Sequence, residues 1–165
     1  MKPALLVVDV QKIFFARDPV TKQSLEMAVE EINAAIALFR EKHLPVICVQ
    51  HMDEDGGLTP GEDGFDLPEG LNVLDSDLHI RKKYGNSFNK TPLEEELRRL
   101  DVDTVIITGF CAEYCVLSTC RGAKDLDLTP ILLRDSLASG VPENIRFVEN
   151  ISDVISYGAL KRILD

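Results

Sequence analysis

The sequence predicts an α/β fold built on a mainly parallel central sheet. Two observations carry this expectation. Short runs of strand length are apolar throughout rather than alternating, as strands buried on both faces require. Segments with apolar residues at helical spacing stand between those runs, the order that strand–helix–strand crossovers produce. At 165 residues, the chain is expected to form one domain, residues 1–165, around a single sizeable core.

Each element follows in order. "PALLVVD", residues 3–9, is an apolar run closed by a charge and reads as a buried strand. From about residue 22 to 42 the pattern turns helical, with Ile32, Ala35, Ile36 and Phe39 on one face. "PVICVQ", 45–50, is a second buried strand. Residues 51–70, rich in Gly, Pro and Asp, form the longest expected loop and a candidate rim for a site. "LHIRKK", 78–83, alternates: Leu78, Ile80 and Lys82 share one face, and His79, Arg81 and Lys83 the other. "TPLEEELRRL", 91–100, opens with Thr91 and Glu94 at capping-box spacing and Pro92 at the first helical position. "DTVIITGF", 103–110, is a third buried strand, after which Val116, Thr119, Cys120 and Ala123 restore helical spacing. "TPILLRD", 129–135, is another strand; "SDVIS" reads as a further strand and "YGALKRILD" as a short helix.

Composition excludes several function classes. The chain is 45% hydrophobic and 28% charged, with a formal net charge of -10. An acidic protein is repelled by nucleic acid and by anionic membranes, so neither partner is expected. The apolar runs are too short to cross a bilayer. "MKPALLVVDVQ" reads as a strand rather than a signal peptide because Asp9 interrupts it and no small-residue cleavage site follows. Four cysteines are too few for a disulfide scaffold, so reduced thiols in a cytoplasmic protein are expected.

In open α/β sheets, ligands bind beyond the carboxyl ends of the strands. Asp9 ends the first strand, Lys82 and Lys83 end the "LHI" strand, and a cluster of cysteines follows "DTVIIT". Cys115 falls about where a helix begins, where amide donors and the helix dipole favour a thiolate. A lysine nearby would favour it further, and a carboxylate could take the thiol proton and return it to a leaving group. Lys82 is preferred over Lys83 because it shares the apolar face of its strand. A free cysteine by itself more often serves as a small core residue, and that reading is kept for Cys48 and Cys120. Cys111 and Cys115 lack the Cys-x-x-Cys redox spacing. Cys115 to Arg121 has the spacing of a phosphate-cradling loop, but Val, Leu, Ser, Thr and Cys lie between, with no glycine to turn amides inward.

These residues resemble the isochorismatase-like cysteine hydrolases, a family that includes nicotinamidases, N-carbamoylsarcosine amidases and isochorismatases. "ALLVVDVQKIF" is similar to the family's first strand, with Asp9, Gln11 and Phe14 in an Asp-x-Gln-x-x-Phe pattern. In "KKYGNSFNKTPLEEEL" the family's lysine, six residues before a Phe, maps to Lys82. "VIITGFCAEYCVLSTCRGA" resembles the nucleophile segment Gly-x-x-Thr-Asp-x-Cys-Val, with Ala112 and Glu113 departing from it. The resemblance implies a Rossmann-type, three-layer α-β-α sandwich with a mainly parallel sheet. It implies Cys115 as nucleophile, Asp9 as general base and acid, and Lys82 as the stabilising cation. It also implies a cis peptide between Phe110 and Cys111 and an oxyanion hole formed by the Cys111 and Cys115 N–H groups. Gln11, Phe14, Tyr84 and Phe110 become the candidate substrate-pocket residues.

Nicotinamidases hold a metal through an Asp-x-His and further histidines after the second strand. Here His51 stands alone in "VQHMDEDGG", with His43 and His79 outside that loop. No metal and no cofactor are therefore expected, and nicotinamide becomes a poorer candidate substrate. The expected function is hydrolysis of a C–N bond, amide or carbamoyl-type, in a small molecule through a Cys115 thioester. The alternatives are an isochorismatase-type vinyl ether hydrolase and a non-catalytic thiol-bearing binding module. The family resemblance implies a homodimer or homotetramer.

Overall fold

A computed structural model describes residues 1–165. Six strands form one sheet: β1 (Pro3–Val8), β2 (Val46–His51), β3 (Leu78–Lys82), β4 (Thr104–Phe110), β5 (Thr129–Ala138) and β6 (Val154–Ile155). Their order is β3-β2-β1-β4-β5-β6, and every neighbouring pair is parallel. The order reverses between β1 and β4, which makes the ends of these two strands the switch point of a doubly wound sheet.

The helices are α1 (Lys12–Phe15), α2 (Pro19–Glu41), α3 (Leu93–Arg99), α4 (Leu117–Asp125), α5 (Pro142–Asn150) and α6 (Tyr157–Leu164). Strand pleating sorts the side chains between two cores. Ala4, Leu6 and Val8 face one layer with Leu93 and Leu97 of α3, Cys120 and Ala123 of α4, and Val148 of α5. Leu5 and Val7 face the other, with Leu25, Ile32, Ile36 and Phe39 of α2 and Leu160 of α6. The result is a three-layer α-β-α sandwich. Truncating a buried α2 side chain such as Phe39 would cost about 3–5 kcal/mol, because packed cores close only partly over a cavity. No helix is long and apolar enough to cross a membrane.

Several boundaries differ from the expectations. Helix α2 begins at Pro19, since Asp18 caps it by accepting the Thr21 N–H at 2.8 Å. Helix α3 has no capping box. The Thr91 hydroxyl donates to the Ser87 carbonyl at 2.6 Å, and Glu94 pairs with Arg98 instead. Strand β5 runs on past Asp135 to Ala138. The nine-residue helix α5, not anticipated from the sequence, follows it. Val148 is the only α5 residue fully buried, so the apolar periodicity is faint. The "SDVIS" strand and the final helix are both present.

Candidate active site

Three strand ends converge beside the switch point. The chain leaves β1 through Asp9, whose φ of +53° turns it off the strand. Aspartate tolerates this left-handed conformation better than most residues. The Asp9 N–H is fixed by the Val49 carbonyl at 2.9 Å. On β4, Gly109 has φ +111°, and a Cβ there would sit 2.1 Å from the Val8 carbonyl oxygen, so only glycine lets the two strand ends close up. The Phe110–Cys111 peptide is cis. A π-helical turn, Ala112–Val116, then carries Cys115 into α4. The segment after β3 is seated on α4: Ser87 hydrogen-bonds Thr119, with its amide at 3.1 Å and its hydroxyl at 2.8 Å. Asn86 packs where a Cβ on Gly122 would meet it at 2.4 Å.

Lys82 is the hub. It is 1% exposed, whereas Lys83 is exposed, as the alternation of the strand requires. Its ammonium donates to Asp9 Oδ2 at 2.9 Å, His51 Nδ1 at 2.9 Å and the Tyr84 carbonyl at 3.0 Å, and lies 3.4 Å from Cys115 Sγ. Asp9 is also buried, and its Oδ1 has no hydrogen-bond partner. Burial raises the Asp9 carboxyl above the usual aspartate range, against the pull of the Lys82 charge.

Burial works against a thiolate at Cys115. Its thiol is pushed up to about 12, first by burial and then by the Asp9 charge, with Lys82 pulling the other way. Ionising it therefore calls for a base within the site that can take its proton. Asp9, with its own affinity for protons raised, is the carboxylate suited to that exchange.

His51 was missed as a partner of the lysine. It pairs with Lys82 in the register of β2 and β3 and continues the face of Ile47 and Val49, as Lys82 continues that of Ile80. Counting alternate residues along both strands would have found the contact. One ligand atom each from Asp9, His51 and Cys115 lie within 4.8 Å of one another, a set that could hold a metal ion. The Lys82 ammonium already bonds all three of them, so a metal cation would have to displace it.

The expected pocket residues divide. Gln11 does not line a pocket. It is wholly buried, donating to the His51 and Phe65 carbonyls at 3.0 Å each and accepting the His51 N–H at 2.8 Å. It ties the end of β2 and the 51–70 loop to β1. Phe110 is core, 3% exposed, and Phe14 stacks on it with ring centroids 4.6 Å apart. Tyr84 is 43% exposed and contributes its carbonyl to Lys82. The Cys111 N–H makes no backbone hydrogen bond. The Cys111 side chain turns to a separate cluster, donating to Glu113 Oε2 at 3.0 Å. Arg121 lies exposed on α4, and residues 117–121 are helical, which excludes a phosphate-cradling loop. A cleft of about 610 Å³ lies elsewhere, between α2 and α5, and contains no cysteine.

A doubly wound α/β sheet with a half-buried thiol beside a buried carboxylate and ammonium at its switch point defines a class of Rossmann-type proteins whose chemistry sits at the strand ends. The chain belongs to the isochorismatase domain family of hydrolases, whose family model matches residues 3–150. It is similar to the uncharacterized isochorismatase family protein YrdC of Bacillus subtilis. The two are 35% identical over 140 residues, 84% of this chain and 74% of that protein. An isochorismatase-like hydrolase structure from Alkaliphilus metalliredigens covers 100% of both chains with TM-score 0.91 at 22% identity, a likeness of fold. The structure of N-carbamoylsarcosine amidase from Thermoplasma acidophilum has TM-score 0.81 and 26% identity over 94% of this chain and 96% of that one.

Proposed function

We propose that the protein is a cysteine amidohydrolase that cleaves the C–N bond of an amide or carbamoyl group in a small molecule, with Cys115, Asp9 and Lys82 as its catalytic residues. The observation that carries this reading is the position of the buried Lys82 ammonium, 2.9 Å from Asp9 Oδ2 and 3.4 Å from Cys115 Sγ. Similarity to an amidase structure supports the bond type.

The steps follow from proton affinities. As Cys115 Sγ attacks the substrate carbonyl carbon, its proton passes to the Asp9 carboxylate. The carbonyl π electrons move to oxygen, and the oxyanion is received by the Cys111 and Cys115 N–H groups. Collapse of this intermediate breaks the C–N bond. Asp9 returns the proton to nitrogen, so ammonia or an amine leaves and a thioester remains. A water molecule then attacks the thioester as Asp9 takes one of its protons. The acid is released, and the proton goes back to sulfur. Lys82 stays charged throughout and offsets negative charge as it passes between sulfur and carboxylate.

The test is a panel of small amides and N-carbamoyl compounds assayed with the wild type and Cys115→Ser. A substrate that accumulates a thioester on Cys115, detected by intact mass, and loses turnover by several orders of magnitude in the variant supports the reading. Wild-type turnover of that substrate by Cys115→Ser would overturn the thioester route, and hydrolysis of a vinyl ether that survives Cys115→Ser but fails in Asp9→Ala would replace it with a vinyl ether hydrolase reading.

A further inference from the structure

An ammonium has three N–H bonds. Lys82 has three oxygen or nitrogen acceptors around it, Asp9 Oδ2, His51 Nδ1 and the Tyr84 carbonyl, before the sulfur of Cys115 is counted as a fourth neighbour. Four acceptors thus share three protons: the contacts to Asp9, His51 and Tyr84 are 2.9 to 3.0 Å, and Cys115 Sγ at 3.4 Å, a length at which sulfur accepts an N–H, divides a proton with a neighbouring acceptor. We propose that His51 is a positioning residue that competes with Cys115 for one Lys82 N–H: while the imidazole holds it, the sulfur keeps its proton, and when the imidazole gives up that bond, the freed N–H turns wholly to the sulfur and stabilises the thiolate left as the thiol proton passes to the Asp9 carboxylate. The proposal rests on the reading of Cys115 as nucleophile and adds the device that controls it.

His51 is the acceptor able to let go. The bond to Asp9 is charge-assisted on both sides and is the strongest of the three. The Tyr84 acceptor is backbone, held by the segment packed on α4. The backbone of His51 is pinned by Gln11 through both its N–H and its carbonyl, yet the ring is only half-buried and is held by the one bond to Lys82. A ligand entering over Cys115 can therefore engage the ring without disturbing the fold. The charged and titratable groups facing the ring are Lys82, Asp9, Asp53 and Cys115. Burial and then the Lys82 charge hold the imidazole below the ordinary histidine range, so the ring is a neutral acceptor near neutral pH.

The test needs no substrate, so its failure is separable from failure of the amidohydrolase reading. Alkylation of Cys115 by iodoacetamide is followed against pH by peptide mass spectrometry in the full chain, for the wild type, His51→Asn and His51→Leu. Asparagine Oδ1 stands close to the position of Nδ1 and keeps an acceptor; leucine removes it. The midpoint of the profile is read, because a smaller side chain also opens access. In His51→Leu the midpoint falls, and alkylation near neutral pH rises about tenfold for each unit of fall; His51→Asn keeps the wild-type midpoint. Equal midpoints for His51→Leu and the wild type, or for His51→Leu and His51→Asn, overturn the proposal. In the wild type, the ¹⁵N shifts of the His51 ring give a reading independent of how the variants fold. They are expected to show a proton on Nε2 and an accepting Nδ1, and a protonated Nδ1 in the resting protein would overturn it equally.

Discussion

Cys111 and Cys115 lie four residues apart on one turn, and each faces a carboxylate. Burial followed by carboxylate contact pushes each thiol up to about 12. What differs is the state of the carboxylate. Glu113, beside Cys111, accepts from the Cys111 thiol at 3.0 Å and from Ser139 Oγ and Asn144 Nδ2 at 2.9 Å each. Burial alone would raise it, but these donors outweigh burial and hold it below the usual glutamate range. Asp9, beside Cys115, has an oxygen without a partner and is held above its usual range by burial. A carboxylate satisfied by neutral donors is a poor base, and one left partly unsatisfied is a good one. Proximity of thiol and acid is common to both clusters. Unmet hydrogen-bonding capacity and a buried ammonium belong to one of them.

The largest expected effect separates the two clusters by stability. In Lys82→Met the Asp9 carboxylate loses its only charged partner inside the core. Breaking a buried pair from one side costs about 3–5 kcal/mol, to be read from urea unfolding at neutral pH. Asn144→Ala removes one of several donors from Glu113 and should cost only about 1–2 kcal/mol. Equal losses would mean that Asp9 takes up a proton when the ammonium goes, and that the two clusters are alike in the folded state.

A smaller effect concerns reactivity. With iodoacetamide in moderate excess, Cys115, which is half-buried and beside Lys82, should be modified well before Cys111. Peptide mapping over a time course measures the ratio. Faster modification of Cys111 would break the comparison, since it would place the more available thiolate in the cluster that has no lysine.

The sequence made one of these clusters legible and concealed the other, for reasons of distance and pattern. Asp9, Lys82 and Cys115 stand at the ends of apolar runs, and runs of strand length announce both the sheet and where its ligand end lies. Alternation along "LHIRKK" was enough to choose Lys82 over Lys83. The partners of Glu113 are Ser139, buried just past the end of β5, and Asn144, on a helix whose solvated face leaves little periodicity to read. Gln11 was placed in the right region with the wrong duty. Its hydrogen bonds to the backbone of His51 and Phe65 depend on how a loop folds back, which no local pattern encodes. His51 could be read only by pairing two strands in register.

The smallest effect is the most discriminating, because its sign differs between the clusters. The Glu113 carboxyl is held below its unfolded value. Its contribution to stability is therefore present above the ordinary glutamate range and is lost as pH falls through the folded value. The Asp9 carboxyl is held above its unfolded value, so the native state binds the proton more tightly, and ionising it costs stability as pH rises from the ordinary aspartate range to the folded value. Glutamine and asparagine mimic the protonated acids at constant offset. The stability of the wild type relative to Glu113→Gln should thus rise with pH across the acidic range, and that relative to Asp9→Asn should fall. Urea unfolding of the three proteins at matched pH values gives both slopes. Slopes of the same sign would show that the Lys82 charge outweighs burial at Asp9. In that case Asp9 would be as poor a base as Glu113, and the proton held by Cys115 would need another acceptor.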